Sequence, residues 1–420
     1  MQVLWIVNIP LPPLCEHFGW PIPVSGGWLY SSAKRLLTND SVKLSVATFS
    51  MRSKELIDVT IGGIRYFVIP YKNRNIYKSH TTVQSYWKQI NAQVNPEVVH
   101  IHGTEFALGN DYLRVFGSEN VVVSIQGLVS AIAPYYCAGI SWRNKMFPLT
   151  VRDILKRTCM LKDAMGFACR GKIEEDTLRR VKHIIGRTEW DKAHSWGINP
   201  QAHYYHCDEV LRDTFYKNQW VYEKCQPHSI FISQGSYPLK GLHFILEALP
   251  RIIKEYPDTM VLIAGSDITK KTPWYRYSSY GQYICNIIKN NRIGDHIKFL
   301  GNLDEEQMCN YFLKANVYVC PSTIENSPNS LGEAQLLGVP VLASYVGGVP
   351  DMMSENVGNI YRFDDVVMLA YKICKLFDEN EKSQPNANIR INAIKRHSSE
   401  KNIESTLDIY NHIIMSNKNN

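Results

Sequence analysis

Short apolar runs alternate with helix-length stretches along this whole 420-residue chain, and few architectures accept that order. Strands are expected near Val3–Ile9, Val42–Phe49, Ile64–Pro70, Val98–His102, Val121–Ile125 and His183–Gly186. In the second half they are expected near Ile230–Ser233, Met260–Ala264, Ile297–Leu300, Val317–Cys320, Val339–Ala343 and Asn359–Tyr361. Leu242–Glu255 and Glu305–Lys314 read as two of the intervening helices. Strands joined by helices lie parallel, and parallel strands are covered on both faces. The chain is too long for one ordinary core, so two α/β domains of Rossmann-like type are expected. The weakly periodic stretch Asp208–Pro227 divides them. The expected bounds are 1–207 and 208–398, followed by a helical segment at 399–420.

Composition narrows the function classes. No apolar run reaches the roughly 18 residues that cross a bilayer, and MQVLWIVNIPLPP lacks a basic stretch ahead of its apolar one. It reads as a first strand, not a signal peptide, and a cytoplasmic location is expected. The cysteines show no Cys-x-x-Cys spacing, so reduced thiols are expected, with no disulfide framework or zinc site. A net charge of +7 without dense basic stripes argues against nucleic acid as a partner. It is compatible with phosphorylated ligands and with an anionic membrane surface. Trp142, Phe147 and Leu149 lie close in sequence to Arg143, Lys145, Arg152, Lys156 and Arg157. That mixture suits either peripheral membrane docking or an ordinary helix packed on a sheet.

The densest chemical pattern is VYVCPSTIENSPNSLGEAQLLGVPVLASYVGGVPD, Val317–Asp351. It reads as strand, polar loop, helix, strand and glycine turn. Loops at the carboxyl ends of parallel strands hold ligands in open α/β sheets. Ser330-Leu331-Gly332-Glu333 matches a capping box, so a helix is expected to start there. The free N–H groups of a first helical turn attract anions such as a diphosphate. Glu325 and Glu333 flank that turn, and a carboxylate there can accept hydrogen bonds from a sugar diol. The competing reading makes Glu333 a cap and Glu325 a solvated loop charge.

Other loops after strands carry further candidates. Gly26 and Gly27 follow the first strand and allow close backbone approach to a ligand. Lys240-Gly241 precedes a helix, and a lysine there can neutralise charge developing on a leaving phosphate. Gln126 follows the strand at Val121; it can hydrogen-bond a hydroxyl but cannot serve as a base near neutral pH. His100 and His102 alternate onto one strand face, with no third metal ligand evident. His102 and Glu105 are candidates for the acceptor side. Arg187 ends the last strand of the first half and suits phosphate or a salt bridge to Glu189 or Asp191.

Glu325-x7-Glu333, Ala334-x3-Gly338-x-Pro340-Val341-x-Ala343-Ser344 and Gly347-Gly348-Val349-Pro350-Asp351 together resemble the donor-site signature of retaining GT-B glycosyltransferases of family 4. The resemblance covers most of the second half well and the first half loosely. It implies two Rossmann-like domains with parallel sheets facing a central cleft, closing on the donor, with the C-terminal helix crossing back. It implies transfer of a sugar from a UDP- or GDP-linked donor, with retention, to a hydroxyl of a glycan or lipid-linked glycan. A place in surface polysaccharide synthesis at the inner face of the membrane is expected, with no cofactor and no metal. By the same resemblance Glu333 binds ribose and Glu325 contacts the transferred sugar. Lys240 and the Asn329, Ser330 and Leu331 amides bind phosphate, with Gly26 and Gly27 near it. The chain departs from the family twice: Gly235 stands where an arginine is usual, and Gln126 where many relatives have histidine. Two alternatives stay open, an inactive partner or chaperone subunit and a nucleotide-sugar epimerase or hydrolase of the same fold.

Overall fold

The computed structural model describes residues 1–23, 26–71, 81–146, 150–156, 158–270, 277–382 and 387–418. Phe147, Leu149 and Arg157 of the basic, aromatic stretch lie outside the described residues. The chain forms two compact units. Unit 1 comprises 1–131, 168–211 and 397–420, and unit 2 comprises 132–167 and 212–396.

Unit 1 is built on β1 (Gln2–Ile6), β2 (Lys43–Ser50), β3 (Ile57–Ile61), β4 (Ile64–Pro70), β5 (Val98–His102), β6 (Val121–Ser124), β7 (His183–Gly186) and β8 (His203–His206). Their order across the sheet is β3-β4-β2-β1-β5-β6-β7-β8, all parallel except the β3–β4 pair. Each central strand feeds two cores. Leu4 and Ile6 enter one, with Trp87, Tyr112 and Leu178. Val3 and Trp5 enter the other, with Leu44, Val46 and the C-terminal helix residues Ile409, Tyr410 and Ile413. Burial on both faces is why these strands read as unbroken apolar runs.

Unit 2 carries β9 (Gln226–Ile232), β10 (Met260–Ala264), β11 (Ile297–Gly301), β12 (Ala315–Cys320), β13 (Val341–Ser344) and β14 (Ile360–Tyr361). The order is β11-β10-β9-β12-β13-β14, and every pair is parallel. The chain reverses direction of travel across this sheet between β9 and β12. The loops leaving those two strands therefore flank the crevice where open α/β sheets bind ligands.

Three features differ from the sequence reading. The antiparallel strand β3 was not expected, although Gly62-Gly63 signals it. Both glycines have positive φ, +57° and +82°, as a two-residue hairpin turn requires. Strand β8 was also not expected, because HYYH is polar, edge-placed and half-exposed. Residues 132–167 were placed in the first domain but pack within unit 2. Thr323 Oγ1 donates to the Tyr135 carbonyl at 2.9 Å, and the Met160 N–H donates to Ser279 Oγ at 3.2 Å.

Candidate functional site

The unit 2 site is assembled from the β9 and β12 loops. The β9 loop ends in Pro238–Lys240 and Gly241, which starts the helix Leu242–Glu255. Gly241 has φ +69°, and a Cβ there would stand 1.8 Å from the Pro321 carbonyl oxygen. Only glycine lets the two loops approach this closely. The Thr323 N–H then donates to the Leu239 carbonyl at 2.9 Å, joining them.

This junction brings Lys240 onto Glu325. Their side chains form an ion pair, and Ser322 Oγ donates to the same carboxylate oxygen at 2.8 Å. Burial works against the Lys240 charge, but Glu325, with Tyr237, outweighs it and raises the lysine pKa. Lys240 is therefore held as a cation in a water-poor site. The Glu325 backbone is fixed from behind by the glycine turn. The Gly348 N–H donates to its carbonyl at 3.0 Å, and a Cβ on Gly347 would lie 1.9 Å from that oxygen.

The helix after β12 runs Asn329–Leu337, entered through Pro328 in extended backbone with no side-chain cap. The expected capping box is not formed. Ser330 lies inside the helix, where its hydroxyl accepts from the buried Tyr318 phenol at 2.8 Å. Glu333 pairs with Arg212. Arg212 Nε and Nη2 donate to the two Glu333 oxygens, each at 2.7 Å. Burial raises the Glu333 pKa, with Arg212 opposing that rise. Of the three amides expected at the phosphate, that of Leu331 already donates to the Pro328 carbonyl at 2.9 Å. The Asn329 and Ser330 amides remain as the helix's own anion donors.

Gly235 has a packing reason. A Cβ there would meet Leu242 Cδ2 at 2.9 Å and Ile263 Cγ2 at 3.0 Å, so an arginine does not fit without movement. Gln234 orders this turn instead, its Oε1 accepting from the Gly235 N–H at 3.1 Å and Ser236 Oγ at 2.9 Å.

Unit 1 holds the other candidates at the carboxyl ends of its central strands. His100 and His102 stack at 3.8 Å between ring centroids. His100 is bonded on both sides, to Tyr410 Oη at 2.7 Å and Ser124 Oγ at 2.6 Å, and burial pushes its pKa down to about 3. His102 is also buried and driven neutral, yet neither ring nitrogen has a partner among the described residues. Its ring lines a cavity of about 50 Å³ with Trp28, Gln126 and Arg187, room for a few waters. Glu105 has one buried oxygen, Oε2, without a hydrogen bond among the described residues. Burial, and then the nearby Glu174, raise its pKa to about 7. Gly26 has φ +83° and caps the helix Gly27–Leu36, with the Ile9 side chain where its Cβ would be.

Arg187 does not present its charge to a ligand. Its guanidinium donates to the Ile125 and Gln126 carbonyls at 2.6 and 2.9 Å and pairs with Glu209. It braces the end of β6 because those carbonyls need donors where the strand stops. The expected partners Glu189 and Asp191 are not its ion pair, although its backbone N–H donates to Asp191 at 2.9 Å. Sequence reasoning missed Arg212, Glu209 and Glu174. Each is far in sequence from its partner, and no local pattern joins them.

Residues 214–396 match the family model described as glycosyl transferases group 1. The chain is 30% identical over 149 residues to the GDP-mannose-dependent monoacylated alpha-(1-6)-phosphatidylinositol monomannoside mannosyltransferase of Corynebacterium glutamicum. That match covers 34% of this chain and 36% of the relative. It is 22% identical over 338 residues to the phosphatidylinositol N-acetylglucosaminyltransferase gpi3 subunit of Schizosaccharomyces pombe, covering 76% of this chain and 62% of the relative. In both cases the match spans less than two thirds of the relative's length. Among solved structures, sucrose-phosphate synthase from Thermosynechococcus elongatus superposes with a TM-score of 0.70 at 16% identity, over 99% of this chain and 100% of that one. At that identity the likeness speaks for the fold, which is GT-B.

Proposed function

We propose, from the match of residues 214–396 to the family model described as glycosyl transferases group 1, that this chain transfers a sugar from a UDP- or GDP-linked donor to a hydroxyl of a glycan or lipid-linked glycan, with retention at the anomeric carbon. The observation that carries this reading is the Lys240–Glu325 pair, held by two obligatory glycine contacts at the sheet's switch point beside a helix N-terminus. The donor diphosphate lies on the Asn329 and Ser330 amides and on Lys240, which is already charged. Glu325 contacts the sugar and Glu333 accepts from the ribose hydroxyls. The acceptor oxygen bonds to the anomeric carbon as the bond to the diphosphate breaks, and the leaving phosphate takes the acceptor's proton. Helix dipole and lysine then do the stabilising, so the reaction needs no metal. His102 and Glu105 of unit 1 serve the acceptor, and Gln126 positions a sugar hydroxyl. The relatives' names, with their phosphatidylinositol acceptors, support a lipid-linked acceptor.

The test is thermal stability of the full chain with UDP, GDP, ADP, CMP and their sugars, beside Glu333→Ala. A nucleotide at ~100 times its dissociation constant stabilises by about 2.7 kcal/mol. One nucleotide family should raise the midpoint of the wild type and not that of the variant. No rise with any of them would turn the reading toward an inactive partner subunit. Donor consumption without acceptor would turn it toward an epimerase or hydrolase.

A further inference from the structure

We propose that Arg212 is a positioning residue for the nucleotide ribose, acting through Glu333; this rests on the ribose role of Glu333 given above. Arg212 precedes the short helix Asp213–Lys217 and is fixed on several sides. Its guanidinium lies 4.7 Å from the Phe215 ring centroid. Its fork meets both Glu333 oxygens at 2.7 Å. The negative charge of Glu305, itself tied to the Thr214 N–H at 3.0 Å, adds to the field that holds Arg212 in place.

The consequence follows from counting lone pairs. A carboxylate offers about four acceptor positions, and a two-pronged guanidinium uses one on each oxygen. One position per oxygen remains, which suits a vicinal diol donating from both hydroxyls. Arg212 also opposes the burial that favours the protonated form of Glu333. The titratable groups facing Glu333 are Arg212, Glu305 and Cys309. Among the described residues only the first of these is cationic. Without Arg212 that opposition is gone and the balance moves toward the protonated acid, in which one oxygen becomes a donor and the diol loses an acceptor.

The experiment is calorimetric titration of the full chain with ADP, GDP and UDP at pH 7, then with the 2′-deoxy form of the tightest binder. Wild type, Arg212→Gln and Arg212→Lys are compared. Wild type should favour the ribo form by roughly tenfold, the scale of one hydrogen bond to a charged group. Arg212→Gln should lose most of that preference while binding the deoxy form nearly as before, and should regain part of it as the pH is raised. Arg212→Lys, which keeps the charge without the fork, should retain part of it. The ratio is read within one sample, so a partly folded preparation does not distort it. If Arg212→Gln keeps the wild-type ratio at pH 7, or loses ribo and deoxy binding equally, the assignment is wrong and Arg212 is only structural. If wild type binds a nucleotide without preferring the ribo form, the ribose role of Glu333 fails, and this assignment with it.

Discussion

A single carboxylate shows how far burial can move a residue from its ordinary behaviour. Glu105 follows the strand β5, and its Oε2 has no partner among the described residues. Burial, and next the negative Glu174, raise its pKa to about 7 from an unfolded value near 4.5. The folded state therefore holds a proton that the unfolded chain releases. That contribution to stability is fully present below the unfolded pKa and is lost as pH rises through about 7. Glu105→Gln cannot titrate, so its stability relative to wild type should grow between pH 5 and pH 8. Urea unfolding at several pH values measures this, and a constant difference would show that Glu105 titrates like an exposed glutamate. The residue type and its place after a strand were legible in the sequence. Its proton affinity was not, because Glu174 lies on the distant helix Met160–Arg180 and enters only through packing.

At the scale of elements, the C-terminal helix Ser399–Lys418 is joined to the unit 1 sheet by apolar packing and by a phenol. Tyr410 Oη accepts from Trp5 Nε1 at 2.9 Å and meets His100 Nδ1 at 2.7 Å. Tyr410→Phe keeps the ring and leaves both buried partners without this bond. The cost should be about 1–3 kcal/mol, the range for an unsatisfied buried group. Chemical denaturation checks it, and an unchanged midpoint would mean that the freed groups find other partners. The sequence predicts helix over this stretch, but neither Trp5 nor His100 is near it in the chain. The opposite case is the helix after β12. Ser330-Leu331-Gly332-Glu333 fits a local capping rule, yet Tyr318 takes up the serine and Arg212 the glutamate. Tertiary partners outcompeted the local one, as they do when both are buried and the local bond is weak.

For the whole molecule, the question is what the chain presents to a surface. No helix among the described residues is long and apolar enough to cross a membrane. In 132–167, however, Trp142, Ile154, Leu155 and Met165 are each between 64% and 73% exposed, which is uncommon for such side chains in one stretch. The cations Arg143, Lys145, Lys156 and Lys162 share that stretch. Apolar groups beside cations suit the interface of an anionic bilayer. The full chain should sediment with phosphatidylglycerol-containing vesicles and much less with phosphatidylcholine alone. Replacing Trp142, Ile154 and Leu155 together by Ser should abolish the difference without moving the thermal midpoint, since these side chains bury little. Equal sedimentation of variant and wild type would remove this surface from the account.

The sequence by itself determined the alternation of strands and helices, because strands covered on both faces must be apolar throughout and leave a mark in every window. It also marked Glu325-x7-Glu333 and the Gly347-Gly348 turn, since a close backbone approach demands glycine whatever the rest of the chain does. The tertiary structure alone decided what those carboxylates touch. Lys240 reaches Glu325 across 85 positions and Arg212 reaches Glu333 across 121. It also decided that 132–167 packs in unit 2 and that Arg187 braces a strand end. Local spacing carries backbone preference and periodicity. The pairing of buried charges depends on which loops the sheet order brings side by side, and no window of sequence contains that order.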